Sequence, residues 1–156
     1  MSVAIRFGFL SALGLLSVGI AYIVVVAIGV SQAGLSSPIR DPILAIMEVL
    51  TLLSALLLLI LMAAIREYAT EERRLFGTLA LTFAGIMTGL TCAVHFVTLT
   101  AGRQTDFTVL EWPSALYAVE LLAWDVFLGL SLLFAAFVFH GSRRHSAVRW
   151  VLVLSG

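Results

Sequence analysis

Long apolar stretches alternate with short polar segments along the whole 156-residue chain. Four of these stretches reach the length of about 20 residues that one helical membrane span requires. They cover residues 7–30, 43–65, 75–100 and 114–138, and they lack the alternation of apolar and polar positions that membrane β-barrel strands show. The pattern predicts an all-α integral membrane protein in which residues 1–156 form a single polytopic membrane domain, a bundle of four transmembrane helices.

The two ends of the chain each allow a second interpretation. The last ten residues, AVRWVLVLSG, are apolar but too few to cross a bilayer, so they either lie in the membrane interface or begin a fifth helix. At the other end, Arg6 precedes an apolar run, and Ser31-Gln32-Ala33 resembles a signal-peptide cleavage site. That run is longer than the apolar core of a signal peptide, which favours a retained membrane span.

The composition supports a membrane protein, since 62% of the residues are hydrophobic and only 12% are charged. The formal net charge is zero, and we expect no nucleic-acid partner. Cys92 is the single cysteine, so an intrachain disulfide is excluded. The partners that we expect are the lipid bilayer, a small lipophilic or cationic ligand, and either further copies of the chain or a larger membrane complex.

Arginine placement predicts the orientation, because cytoplasmic loops of membrane proteins are rich in basic residues. All nine basic residues are arginines. Seven of them fall before helix 1, between helices 2 and 3, or after helix 4: Arg6, Arg66, Arg73, Arg74, Arg143, Arg144 and Arg149. The other loops hold only Arg40 and Arg103. We therefore expect a multi-pass protein of a bacterial-type inner membrane, with both ends cytoplasmic if the last segment does not cross.

The fourth apolar stretch carries two acids, Glu120 and Asp125, where lipid tails are expected. Its apolar residues favour insertion by about 6 kcal/mol and one central acid costs about 3 kcal/mol, so the stretch still spans. At about 100° per residue, both acids fall on one arc with Tyr117 and Trp124, which predicts a polar stripe facing the bundle. The opposite arc is apolar and is predicted to face lipid: Val119, Leu122, Ala123, Val126, Phe127, Leu130, Leu133, Phe134 and Phe137.

Helix 3 carries a second polar stripe. Thr88, Thr91, His95 and Thr98 recur every three or four residues, the spacing that places side chains on one helix face. Small residues four positions apart let membrane helices approach closely. Such residues lie beside this stripe, at Gly85 and Gly89, and in helix 1, at Ala4, Gly8 and Ala12.

The depths of several polar residues coincide. At about 1.5 Å per residue from the predicted outer boundary, Glu48 and His95 lie about 8 Å deep, Glu120 about 10 Å and Tyr22 about 12 Å, with Asp125 near the midplane. We therefore predict an outer-half intramembrane pocket in which a carboxylate lies within hydrogen-bond reach of His95 or of a tyrosine hydroxyl. Its ligand-binding residues would be Tyr22, Glu48, Thr91, His95, Tyr117, Glu120, Trp124 and Asp125.

Three functions fit this pocket. The first is a non-enzymatic small-ligand-binding module or an accessory or assembly subunit, which is favoured because the chain has no reaction motif such as GxSxG. The second is a small transporter coupled to protons or cations. The third is an isomerase-like acid/base enzyme on a lipophilic substrate, with His95, Glu120 and Asp125 as candidate catalytic residues. We expect no metal and no cofactor; a bis-histidine haem is disfavoured because His140 and His145 lie at the opposite side from His95.

Overall fold

The computed structural model describes residues 2–34, 37–103, 114–141 and 143–156, without the side chain of Arg144. Every regular element in these residues is helical. The elements are α1 (Val3–Ala33), α2 (Ile43–Tyr68), a 3-10 turn (Glu71–Arg73), α3 (Arg74–Leu99), a second 3-10 turn (Ala101–Arg103), α4 (Ala115–Leu121), a π-helical segment (Leu122–Leu128), α5 (Gly129–Ala136) and α6 (Arg143–Ser155).

Four helical stretches in the described residues are long and apolar enough to cross a membrane. They are Val3–Ala33, Ile43–Tyr68, Glu71–Arg103 and Ala115–Ala136, and each overlaps one of the four stretches predicted from the sequence. Their apolar side chains remain exposed along much of their length, as lipid-facing side chains do. The helical class and the four candidate spans are therefore confirmed, and they indicate a membrane protein.

The long helices pack in chain order and leave one side of the bundle open. Among the described elements, α1 contacts only α2, whereas α3 contacts α2 on one side and α4, the π-helical segment and α5 on the other. α5 also packs against α6. Because the backbones of α1 and α4 do not come close to each other, a gap separates the first and the fourth long helix.

Two contacts show which helix ends lie at the same end of the bundle. A Cβ atom built on Gly8 would lie 3.1 Å from Ala64 Cβ, so the beginning of α1 packs against the end of α2. Tyr68 Oη lies 3.1 Å from His145 Nε2, which places the end of α2 beside the beginning of α6. We call this end of the bundle the Tyr68 end. The opposite end holds Arg103, and we call it the Arg103 end.

The core around α3 combines small residues with interhelical hydrogen bonds. Thr88 Oγ1 donates to the Ala55 carbonyl oxygen of α2 at 3.0 Å, and Ser131 Oγ of α5 donates to the Ala80 carbonyl oxygen at 2.8 Å. Buried side chains close the spaces between these helices: Ala55, Met62, Ala80, Ala84, Met87 and Ala135. Close approach of the backbones lets short hydroxyl side chains reach carbonyls across the interface.

Glycine contacts agree with the predicted small-residue motif in α1 and disagree with the one in α3. The Gly8 contact in α1 is close. Gly89 is exposed with nothing within 4 Å of an added Cβ atom, so its predicted helix contact is wrong. The close approach of α3 lies instead at Gly77, where an added Cβ atom would meet Arg66 Cα at 2.9 Å.

The predicted lipid face of the fourth long helix is also wrong at its centre. Ala123 is completely buried, and the rings of Phe127 and Phe134 stack on Phe83 of α3, with centroids 6.2 and 5.6 Å apart. The prediction assumed α-helical rotation throughout, whereas residues Leu122–Leu128 form a π-helix with i to i+5 hydrogen bonds. The wider turn rotates the residues that follow it relative to those that precede it.

The apolar C-terminal segment belongs to α6, which runs from Arg143 to Ser155 and packs along α5. Its side chains Trp150, Val151 and Leu154 are exposed. The contact of Gly156 with Gly129 places the end of α6 beside the first turn of α5.

Candidate functional site

A cavity of about 620 Å³ lies near the Arg103 end, among the four long helices. All four contribute to its lining: Gly19, Tyr22 and Ile23 from α1, Thr51 and Ser54 from α2, His95 from α3, and Tyr117, Glu120 and Trp124 from the fourth long helix. Five of the predicted pocket residues therefore meet at one cavity. Its size and largely apolar lining are those of small-ligand sites in proteins.

The polar centre of the site is the Glu120 carboxylate. Glu120 Oε1 accepts a hydrogen bond from Trp124 Nε1 at 2.7 Å and lies 3.0 Å from His95 Nε2. In the sequence, Glu120 and Trp124 lie four residues apart, about one helical turn. Glu120 belongs to α4 and Trp124 to the π-helical segment, so the hydrogen bond between them joins these two elements. The predicted contact between a carboxylate and His95 is confirmed. An ionised carboxylate only accepts hydrogen bonds. A charged Glu120 would therefore accept one from Trp124 Nε1 and one from His95 Nε2 through the same oxygen, Oε1.

Two atoms of this cluster lack a hydrogen bond. Among the described residues, His95 Nδ1 and Glu120 Oε2 are buried and have no hydrogen-bond partner. Buried polar atoms in proteins are nearly always paired, so each exception requires an explanation. Both atoms are covered by neighbouring atoms, and a ligand could bond to them directly only after one of the two side chains rotates.

The cavity opens sideways through the gap between α1 and α4. Among the described helices the backbones of these two do not come close to each other, yet residues from both line the cavity. Ile23 at its edge is 69% exposed, and Gly19 leaves free space beside it. In a membrane this opening would face the lipid acyl chains, because it lies along the sides of apolar helices.

A separate ionic network closes the Arg103 end. Arg103 binds Asp41 in a bidentate ion pair, through Nε to Oδ2 at 2.7 Å and Nη2 to Oδ1 at 2.9 Å. Its Nη1 lies 3.5 Å from Glu48 Oε2 and donates to the Thr98 carbonyl oxygen at 3.2 Å. The Thr98 hydroxyl lies 2.9 Å from both Glu48 Oε2 and the His95 carbonyl oxygen. Glu48, only 4% exposed, is thus held by a cation and a hydroxyl.

The same network sets the charge state of Asp41, which precedes α2. The hydrogen bonds from Arg103 lower the pKa of the Asp41 carboxyl from its ordinary value of 3.8, assisted by the Arg103 charge and the backbone N–H of Ala45, against a smaller opposing effect of burial. Asp41 therefore remains ionised and bound to Arg103 at neutral pH.

Three predicted pocket residues do not line the cavity. Glu48 belongs to the ionic network. Thr91 is fully buried in the helix interface, with its hydroxyl 3.8 Å from Met87 Sδ. Asp125 is exposed on the surface of the π-helical segment, so the expectation that it faces the bundle is wrong, because the polar arc was drawn with a uniform α-helical rotation.

Several residues of the site were missed from the sequence. Thr51 and Ser54 line the cavity one turn apart on α2, and they follow Glu48 at three-residue spacing, a polar stripe like the one found in helix 3. In the sequence, Arg103 indicates only the topology, and nothing marks Asp41 as its partner. Their pairing joins residues 62 positions apart, and no local pattern reports such a contact.

Comparison of the chain with protein-family models, with curated proteins and with solved structures finds no match. Within the described ranges no group of three His, Cys, Asp or Glu side chains is placed to hold a metal ion. What the site can do follows from its own chemistry: a largely apolar cavity, three ring side chains with polar tips, and one carboxylate shared by an imidazole and an indole.

Proposed function

We propose that this chain is a multi-pass membrane protein that binds a small, largely apolar ligand in the cavity between α1 and α4. One observation carries the proposal: side chains from all four long helices converge on a single cavity of about 620 Å³ that contains the His95–Glu120 pair. Pockets of this kind, apolar with a few convergent polar groups, are the usual form of a small-ligand site.

Among the three functions that the sequence allows, ligand binding is the one that needs no catalytic or proton-carrying side chain beyond those that line the cavity. In proton-coupled transport Asp125 would act together with Glu120 as a second acid of the same helix, but Asp125 is exposed and outside the cavity. Acid/base catalysis would need a substrate proton near the free His95 Nδ1 or Glu120 Oε2, and both atoms are covered.

We also propose that the Tyr68 end faces the cytoplasm of a bacterial-type inner membrane, because seven of nine arginines belong to the segments at that end.

Photolabelling tests the binding function. The protein in lipid nanodiscs is irradiated with 3-trifluoromethyl-3-phenyldiazirine, a small neutral photoreactive arene, and the labelled peptides are identified by mass spectrometry. We expect saturable labelling of peptides that contain Tyr22 and Trp124. Gly19→Leu should abolish it, because an added side chain at Gly19 enters free space at the cavity edge.

Gly89→Leu is the matched control. Gly89 also has nothing within 4 Å of an added Cβ atom, but it is exposed and does not line the cavity. This variant should retain wild-type labelling. Labelling that is spread evenly over the lipid-facing helices, or that Gly19→Leu leaves unchanged, would overturn the proposed function.

A further inference from the structure

We propose that the ligand of this cavity is a lipophilic organic cation, an inference that rests on the ligand-binding function proposed above. It is based on three features of the lining: its aromatic side chains, its carboxylate, and its position beside lipid. Each limits the charge or the solubility of a molecule that can be bound there.

The aromatic side chains favour a positive charge. Tyr22, Tyr117 and Trp124 line the cavity from α1 and from the fourth long helix. The faces of such rings carry partial negative charge and attract quaternary ammonium and similar cations, which proteins often enclose in a group of aromatic residues. A neutral apolar molecule would pack equally well against aliphatic side chains.

The charged groups of the lining favour the same sign. Glu120 is its one carboxylate, and no described lining residue is an arginine. The closest candidate, Arg103, is already paired with Asp41 and Glu48. Of the other lining side chains, only that of His95 can become a cation. An anionic ligand would find no permanent cation in the cavity, whereas a cation would find a carboxylate.

The covered atoms limit how a neutral polar ligand could use the His95–Glu120 pair. A neutral head group would need a direct hydrogen bond to this pair, but His95 Nδ1 and Glu120 Oε2 are both inaccessible in this arrangement, which leaves it only the hydroxyls of the lining. Coulomb attraction requires no direct contact and is stronger in a site of low dielectric than in water. Glu120 can therefore attract a cation in the cavity while its Oε1 remains bonded to Trp124.

The lateral opening favours a cation that dissolves in the membrane. The gap between α1 and α4 is bordered by apolar helix surfaces, with Ile23 at the cavity edge. A strongly hydrated inorganic ion would lose its water there without a cage of oxygen ligands to replace it. A cation whose charge is shielded by apolar groups loses much less hydration.

Two ions of the same shape and opposite charge test the proposal. Tetraphenylphosphonium and tetraphenylborate are dialysed to equilibrium against the purified full chain in dodecyl maltoside. We expect Glu120→Gln to weaken tetraphenylphosphonium binding by at least about tenfold and to leave tetraphenylborate binding unchanged. Comparing each ion across variants cancels its partitioning into the detergent.

Asp125→Asn is the control, because it removes the other acid of the same helix, which is exposed and outside the cavity. It should bind tetraphenylphosphonium as the wild type does. Tyr22→Leu should weaken that binding by about tenfold, and Tyr22→Phe, which keeps the ring, should weaken it less. The tyrosine pair gives an independent test if Glu120→Gln does not fold.

Two results would overturn the cation assignment: tetraphenylborate binding that Glu120→Gln weakens as much as it weakens tetraphenylphosphonium binding, or tetraphenylphosphonium binding that is indifferent to both Glu120→Gln and Tyr22→Leu. If photolabelling of the cavity by the neutral arene persists alongside either result, the ligand-binding function stands and the cation assignment alone fails. Absence of cavity photolabelling would remove the binding function itself.

Discussion

Glu48, Glu120 and Asp125 are three carboxylates within the candidate spans, and each has a different environment. Glu48 is buried beside an arginine and a threonine hydroxyl, an arrangement that holds the ends of α2 and α3 together. Glu120 is shared by an imidazole and an indole at the cavity. Asp125 is exposed. Acids in membrane spans are functional candidates by default, but of these three only Glu120 lines the cavity.

The two acids bound by Arg103 should contribute differently to stability. Asp41→Asn removes the charge of an acid whose side chain is 48% exposed, so we expect a loss of at most about 1 kcal/mol. Arg103→Met should cost about 3 kcal/mol or more, because it leaves the buried Glu48 carboxylate without its cation. Thermal unfolding in detergent measures both, and equal losses would contradict the assignment.

The Asp41 contribution should also depend on pH. Because Arg103 lowers the pKa of folded Asp41 below 3.8, the ion pair stabilises the fold above that value, and the stabilisation is lost as the pH falls through the folded pKa. The melting-temperature difference between wild type and Asp41→Asn should therefore be constant from pH 5 to 7 and shrink below about pH 4. A difference that grows on acidification would contradict the ion pair.

Among the elements, α3 is the centre of the structure and the fourth long helix is its least regular part. α3 packs against α2 and against the fourth long helix, and its buried residues outnumber those of the other spans, in keeping with a helix surrounded by protein. The π-helical segment turns Ala123 and Phe127 toward α3. π-helical turns inside α-helices often occur at functional sites, and this one begins between Glu120 and Trp124.

Packing of α2 against α3 should depend on Gly77. Gly77→Ala would place a Cβ atom 2.9 Å from Arg66 Cα, a backbone atom that cannot rotate away. We expect a loss of about 1–3 kcal/mol from this overpacking. Gly89→Ala, on the same helix but with free space around it, should be neutral or slightly stabilising. Unfolding by a graded denaturant series measures both, and equal effects would show that α2 and α3 do not approach at Gly77.

At the scale of the whole molecule, an open arrangement of helices places a largely apolar cavity at the side of the bundle, among helices apolar enough to cross a membrane. The gap between α1 and α4 gives that cavity its lateral entrance, and the ionic network of Arg103 lies at one end of the same helices. The Tyr68 end has a different character, with Arg73 donating to the Phe137 carbonyl oxygen and Arg149 lying over the Phe137 ring.

The orientation of the molecule can be measured with single cysteines. In a Cys92→Ala background, Ser37→Cys places an exposed thiol between α1 and α2, and Glu72→Cys places one between α2 and α3. An impermeant maleimide added to intact cells should label Ser37→Cys, and it should label Glu72→Cys only after permeabilisation, because the Glu72 segment holds the arginine cluster. The reverse pattern would contradict the proposed orientation.

The sequence by itself determined the helical class, the four candidate spans and the grouping of polar residues within each helix. These properties depend on local quantities, namely the length of an apolar run and the angle between residues of one helix. From similar depths the sequence predicted a carboxylate within hydrogen-bond reach of His95 or of a tyrosine hydroxyl, and a contact between His95 and Glu120 is present.

Only the tertiary structure decided which side of each helix meets which neighbour. The rotation of a helix about its own axis is set by interhelical packing, here by close contacts such as Gly77 against Arg66 and by the π-helical turn. That rotation brings Thr51 to the cavity, leaves Asp125 exposed, and pairs Arg103 with an acid 62 residues away. Helical periodicity fixes the angles within one helix, but it carries no information about the angle between two helices, so these placements required the assembled bundle.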